Sequence, residues 1–114
     1  MPQTSKAAKS PPADVEQTLI RLGSYIRKAR LRRNKSLEEL AETVGVTRHV
    51  MAAIEKGKPS TAIASYMGAL WAMGLLSDMK SVADPDNDTE GKALENVRAP
   101  KTAGKRKKEL DNDF

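Results

Sequence analysis

The chain has no cysteine and a single histidine among its 114 residues. Disulfides and thiolate metal sites are therefore excluded, and one imidazole without a second histidine or cysteine makes no metal centre. A cysteine-free chain suits a reducing compartment, and a cytoplasmic location is the expectation. No apolar run reaches the length of a membrane span. Residues 1–13 combine lysine and proline without an apolar stretch, which predicts a loose, disordered arm rather than a signal peptide or a membrane anchor. No glycine-rich phosphate loop and no paired nucleophile and base stand out, so the sequence predicts no enzyme, no cofactor and no small-molecule substrate. What the chain does have is charge: 31% of residues are charged, with a net charge of +5 and a pI near 9.6. Such a balance suits an anionic partner, and by itself does not separate nucleic acid from an anionic membrane surface or an acidic protein.

Residues 37–56 carry the most information. Leu40, Ala41 and Val44 form one apolar stripe, and Val46, Met51 and Ile54 form a second, as two short helices crossing at a tight turn require. Ala41 is small where the second helix crosses, and Gly45 supplies the positive φ of the connecting turn. Ser36 followed by Glu39 is a capping box, and Thr47 can cap the second helix. The pattern is that of a helix-turn-helix.

Flanking segments complete an all-α reading with the domain over 14–83. Asp14 is a plausible N-cap for a long first helix, in which Val15, Leu19, Leu22, Ile26 and Ala29 recur at helical spacing up to a stop near Asn34. Its other face carries Arg21, Arg27, Lys28, Arg32 and Arg33, and a solvated face is the simpler reading for all but Arg33. After Gly57 and Pro59 the chain restarts at Ser60 or Thr61, and Ile63, Tyr66, Met67, Leu70, Trp71 and Met73 run to a stop at Gly74. Leu75, Leu76, Met79 and Val82 predict a fifth helix ended by Asp84-Pro85. Met67, Trp71, Leu75, Leu76, Met79 and Val82 read equally well as core or as a dimer or partner surface. Residues 84–114 turn acidic and then basic, a composition that builds no core. Within this polar tail Ala93, Leu94 and Val97 mark a candidate short helix over 89–97, and the rest reads as disordered. Lys105, Arg106, Lys107 and Lys108 either touch a DNA backbone or keep the tail soluble, and Leu110 and Phe114 are either a docking or degradation tag or an ordinary terminus.

Docking geometry then assigns roles. In a helix-turn-helix the N-terminal residues of the second helix face base edges in the major groove, which here are Arg48, His49 and Val50, followed by Ala52 and Ala53. Arg48 is the candidate for bidentate readout of guanine, His49 can make one hydrogen bond, and Val50 and the alanines offer apolar contact to thymine methyls. A plain surface role competes for His49. Candidate phosphate contacts lie at helix starts and their flanks: Arg33, Lys35, Ser36, Thr47, Lys56, Lys58, Ser60 and Thr61.

Residues 22–83 resemble the XRE family of lambda-repressor-like, five-helix DNA-binding domains. The resemblance is carried by Leu22-Gly23-Ser24-Tyr25-Ile26-Arg27, by the helix-turn-helix pattern and by the exit Ile54-Glu55-Lys56-Gly57-Lys58. It implies that Arg30 and Glu55 form a structural ion pair. It also marks a departure, because the family's phosphate-gripping glutamine after the cap of the second helix is Leu37 here. A narrower resemblance, to HipB-type antitoxins, rests on Tyr66, the segment 70–75, Ala83-Asp84-Pro85, Asp88, Gly91, Ala93-Leu94-Glu95, Arg98 and Pro100-Lys101. That resemblance implies a homodimer bound to a palindromic operator in its own promoter, acting as repressor and as antitoxin of a HipA-like serine/threonine kinase toxin. A stand-alone repressor without a toxin is the alternative, and an adaptor that uses the same helices for protein binding is a third reading.

Overall fold

A computed structural model describes residues 5–99, so Lys101, Lys105 to Lys108, Leu110 and Phe114 lie outside the described residues. Among those described there is no strand, and the fold class is all-α. The chain divides into two compact units, with the boundary between Asp78 and Met79, earlier than the composition shift at Asp84. No helix among the described residues is long and apolar enough to cross a membrane.

In the first unit, a single helical turn, α1 (Lys6–Lys9), is capped by the Ser5 hydroxyl, which accepts from the Ala8 N–H. This turn stands where the sequence predicts a loose arm. The long helix α2 (Ala13–Arg32) starts behind Pro12, with Asp14 in its first turn rather than at the cap. That position still suits a carboxylate, which favours the positive end of the helix dipole. The inward face of α2 holds Gly23, Ile26, Ala29 and Arg30. Val15, expected on this face, is 47% exposed. The whole stretch 13–18 at the start of the helix is exposed. Asn34, at φ +54, takes the left-handed conformation that ends α2, and the Lys35 N–H returns to the Arg30 carbonyl.

Next come α3 (Leu37–Val44), α4 (Arg48–Glu55) and α5 (Ile63–Ala72). Helix α2 packs on α4, α3 packs on both α4 and α5, and α4 touches α5. Their shared core is Ile26, Leu40, Ala41, Met51, Ile54, Tyr66, Ala69 and Leu70. Helix α5 begins after Ala62, without a side-chain cap, rather than at Ser60 or Thr61. The Thr61 N–H is already used in the preceding turn, on the Lys58 carbonyl. Gly74 ends α5 as expected, and the Leu75 N–H closes back on the Leu70 carbonyl.

The predicted fifth helix is instead a 3₁₀ helix over Ser77–Ser81. The bond from Leu75 back to Leu70 commits the first apolar position to ending α5, and Ala83 already turns left-handed at φ +63. Between these two points the chain winds in the tighter 3₁₀ form that short connecting segments often take. In the second unit a short 3₁₀ turn, Pro85–Asn87, packs with α6 (Thr89–Arg98). Asp88 caps α6 by accepting from the Gly91 N–H.

Candidate nucleic-acid interface

The start of α3 is fixed by a complete capping box: the Glu39 N–H donates to Ser36 Oγ, and the Ser36 N–H donates to Glu39 Oε1, each at 3.0 Å. Glu39 is held below the usual carboxylate range, first by the Ser36 N–H bonded to its Oε1 and then by the Ser36 hydroxyl. Gly45 ends α3 at φ +86, and the N–H groups of Gly45 and Val46 both return to the Ala41 carbonyl, at 2.9 and 3.0 Å. That turn leads straight to Thr47, whose hydroxyl accepts from the Val50 N–H at 3.1 Å and starts α4. Local sequence therefore sets both helix starts and the angle between them.

Packing then decides which way α4 points. Met51 and Ile54 are fully buried, which turns His49, Ala52, Ala53 and Lys56 to the opposite side of a 3.6-residue helix and leaves Arg48 on its flank. Arg48 and His49 are exposed, whereas Val50, Ala52 and Ala53 are half-buried. All five candidate base-reading residues thus sit on one short helix, with the two polar ones outermost.

The far end of α4 is tied to α2. Arg30 Nε donates to Glu55 Oε2 at 2.6 Å and Nη2 donates to Oε1 at 3.0 Å, a two-pronged pair with both side chains more than nine-tenths buried. Its remaining nitrogen, Nη1, donates to the Lys35 carbonyl at 2.8 Å. The hydrogen bond to Glu55 raises the Arg30 pKa above its ordinary value against the opposing effect of burial. One guanidinium thereby fixes both the end of α4 and the loop leading into α3. The exit from α4 is held in turn by the Tyr66 hydroxyl, which donates to the Lys58 carbonyl at 2.8 Å. Burial raises the Tyr66 pKa.

The candidate phosphate residues fall around this helix pair. Lys35, Ser36, Thr47, Lys56, Lys58 and Ser60 are exposed, and Thr61 is half-buried. Ser36 and Thr47 already accept the capping bonds, and the Thr47 hydroxyl keeps its own proton to donate. Arg33 instead folds back, donating from Nη1 to the Ala29 carbonyl at 2.9 Å. Leu37, the residue after the Ser36 cap, is half-buried. In the first unit Trp71 and Leu75 are exposed, with Met67 and Leu76 half-buried. In the second, Met79 is half-buried and Val82 exposed.

Two interactions had no signal in the sequence. The Lys35 carbonyl as an Arg30 partner is a backbone contact that any residue at that position could make. The second is an exposed pair in which Arg48 Nε donates to Glu38 Oε1 at 2.6 Å. Its partners come from different helices, so no helical spacing announces them. Glu38 lies below the usual carboxylate range, first because of the N–H of its own residue at the free start of α3 and then because of Arg48.

Residues 26–65 match the helix-turn-helix family. The matched segment is similar to an XRE-type helix-turn-helix. It runs from the inward face of α2 to the start of α5, and so takes in every residue assigned to base readout and the Arg30–Glu55 pair. The helix-turn-helix is the DNA-binding domain of a transcription regulator, here in a lambda-repressor-like all-α fold. No curated protein and no solved structure matches the chain.

Proposed function

We propose that the chain is a sequence-specific transcriptional repressor whose α4 reads base edges in the major groove, with Arg48 as the principal reader. The observation that supports this most directly is the presentation of α4: Met51 and Ile54 anchor it while Arg48 and His49 stand exposed at its N-terminus. In this reading His49, Val50, Ala52 and Ala53 complete the base-facing surface. Lys35, Ser36, Thr47, Lys56, Lys58, Ser60 and Thr61 hold phosphates, with Arg33 joining them on release of its bond to Ala29. One such unit spans few base pairs, so useful specificity calls for a homodimer on a palindromic operator with half-sites about one helical turn apart. Trp71, 61% exposed, and Leu75 are among the exposed apolar side chains of the first unit and are the ones this reading assigns to that contact. Repression of its own promoter and the antitoxin role, with a HipA-like kinase toxin as partner in the cytoplasm, rest on the resemblance of Tyr66, residues 70–75 and residues 83–98 to HipB-type antitoxins.

The test begins with selection from a randomised duplex pool by the full chain, followed by fluorescence anisotropy on the enriched duplex and a shuffled one. Arg48→Ala should remove about 1–3 kcal/mol of the preference between the two. Recurrence of the enriched sequence upstream of the chain's own gene supports autoregulation. A pool that enriches nothing would overturn sequence-specific repression.

A further inference from the structure

Resting on the reading of Arg48 as a base reader, we propose that Glu38 is a specificity-determining residue of the interface, a buttress that presets the Arg48 guanidinium for guanine before DNA arrives. Glu38 occupies the second position of α3 and Arg48 the first position of α4, so the contact bridges the two helices at the point nearest the groove. The contact uses Nε alone. Among the described residues, the edge formed by Nη1 and Nη2 has no hydrogen-bond partner. Those two nitrogens carry parallel N–H groups at the spacing that matches O6 and N7 of guanine. The carboxylate therefore occupies the side of the guanidinium that readout does not need and leaves open the edge that it does.

Magnitudes decide where this matters. Both side chains are 64% exposed in the free chain, and a solvated pair of this kind contributes little to folding. On DNA the pair is covered, water is excluded and the same contact strengthens as the local dielectric falls. An arginine already held in one rotamer also loses less freedom on binding. The anionic Glu38 adds a second effect. A guanidinium that abandons it for a nearby phosphate leaves a bare carboxylate facing the DNA backbone, so registers in which Arg48 finds no guanine are penalised. Both effects act on discrimination between sequences more than on raw affinity.

The experiment uses the full chain, the enriched and shuffled duplexes, and four proteins: wild type, Glu38→Gln, Arg48→Ala and the double variant. Removing a negative charge raises affinity for any DNA, so the informative quantity is the ratio of the two dissociation constants. Glu38→Gln is expected to lower that ratio about three- to fivefold and to leave it unchanged when Arg48 is already alanine. In the free chain, the Arg48 Nε–H resonance should shift on Glu38→Gln, a readout independent of DNA. Equal tightening on both duplexes with the ratio intact would show that Glu38 only repels backbone, overturning the inference. An equal loss of preference with and without Arg48 would make Glu38 a base reader in its own right, which also overturns it. A wild-type chain without preference for either duplex overturns the repressor reading and this inference together, whereas a wild-type preference that survives Glu38→Gln removes this inference alone.

Discussion

Arg30 shows how one buried cation can organise a surface it never reaches. Its three donors go to Glu55 and to the Lys35 carbonyl, so removing either charged partner leaves the other uncompensated in a site with little water. Glu55→Ala or Arg30→Ala should cost about 3–5 kcal/mol, measured by urea unfolding. Arg30→Lys should recover only part of this, because an ammonium has no planar fork to span both carboxylate oxygens and the carbonyl. A loss under about 1 kcal/mol, the range of an exposed pair, would show that the contact is solvated. This pair was legible from the resemblance of the exit 54–58 and Arg30 to a known family, and the caps at Ser36 and Thr47 from residue type alone. Glu38 was not legible. An exposed glutamate in the first turn of a helix is ordinary, and only the crossing of α3 and α4 brings it to Arg48.

At the scale of elements, two glycines of similar φ are held for different reasons. Gly45 has φ +86 with open space where a Cβ would stand, whereas at Gly57, φ +71, a Cβ would lie 2.5 Å from the Leu19 carbonyl oxygen. Gly23 makes the reciprocal approach, with a Cβ there 2.5 Å from the Ile54 carbonyl oxygen. Gly45→Ala thus pays backbone strain alone, about 1–2 kcal/mol. Gly57→Ala adds a collision between two backbones that cannot both stay in place, and should destabilise clearly more. Thermal unfolding of the two variants checks the order, and equal losses would mean that α2 and α4 separate easily at this crossing. The sequence marked Gly45 because a turn was needed between two visible stripes. The tightness of the crossing at Gly23 and Gly57 depends on a helix far away in the chain, and periodicity does not report it. Apolar spacing also did not distinguish the 3₁₀ helix at Ser77–Ser81 from an α-helix, because the left-handed turns at Gly74 and Ala83 that bound it are not visible in the periodicity.

Across the whole molecule, the titrating groups confine stability to a plateau. Glu38 and Glu39 have folded pKa values below their unfolded ones. Their contribution is present above the unfolded carboxylate value, about 4.3, and is lost as pH falls through the lowered folded values. Tyr66 has a raised folded value. Its contribution is complete below the unfolded value near 10 and is lost as pH rises through the folded one, when the hydroxyl can no longer donate to Lys58. Urea midpoints across pH should therefore be flat near neutrality and fall on both sides. Tyr66→Phe should remove the alkaline effect of this residue, and an unchanged alkaline limb would assign it to other groups. The all-α fold was legible at this scale because the helix stripes, and the caps at Ser36 and Thr47, could be read from the sequence. The division after Asp78 was not, since it falls before the composition changes.

The anchoring of α4 has a consequence for how such a protein can diversify. Met51, Ile54 and Glu55 face inward and carry the helix's attachment, whereas positions 48, 49, 52 and 53 face away from it. If α4 reads bases as proposed, substitutions at the exposed positions 48 and 49 would trade one recognised sequence for another while the buried anchors Met51 and Ile54 keep the helix in place. A duplicated copy of the chain could drift to a new target by a handful of changes, keeping its scaffold throughout.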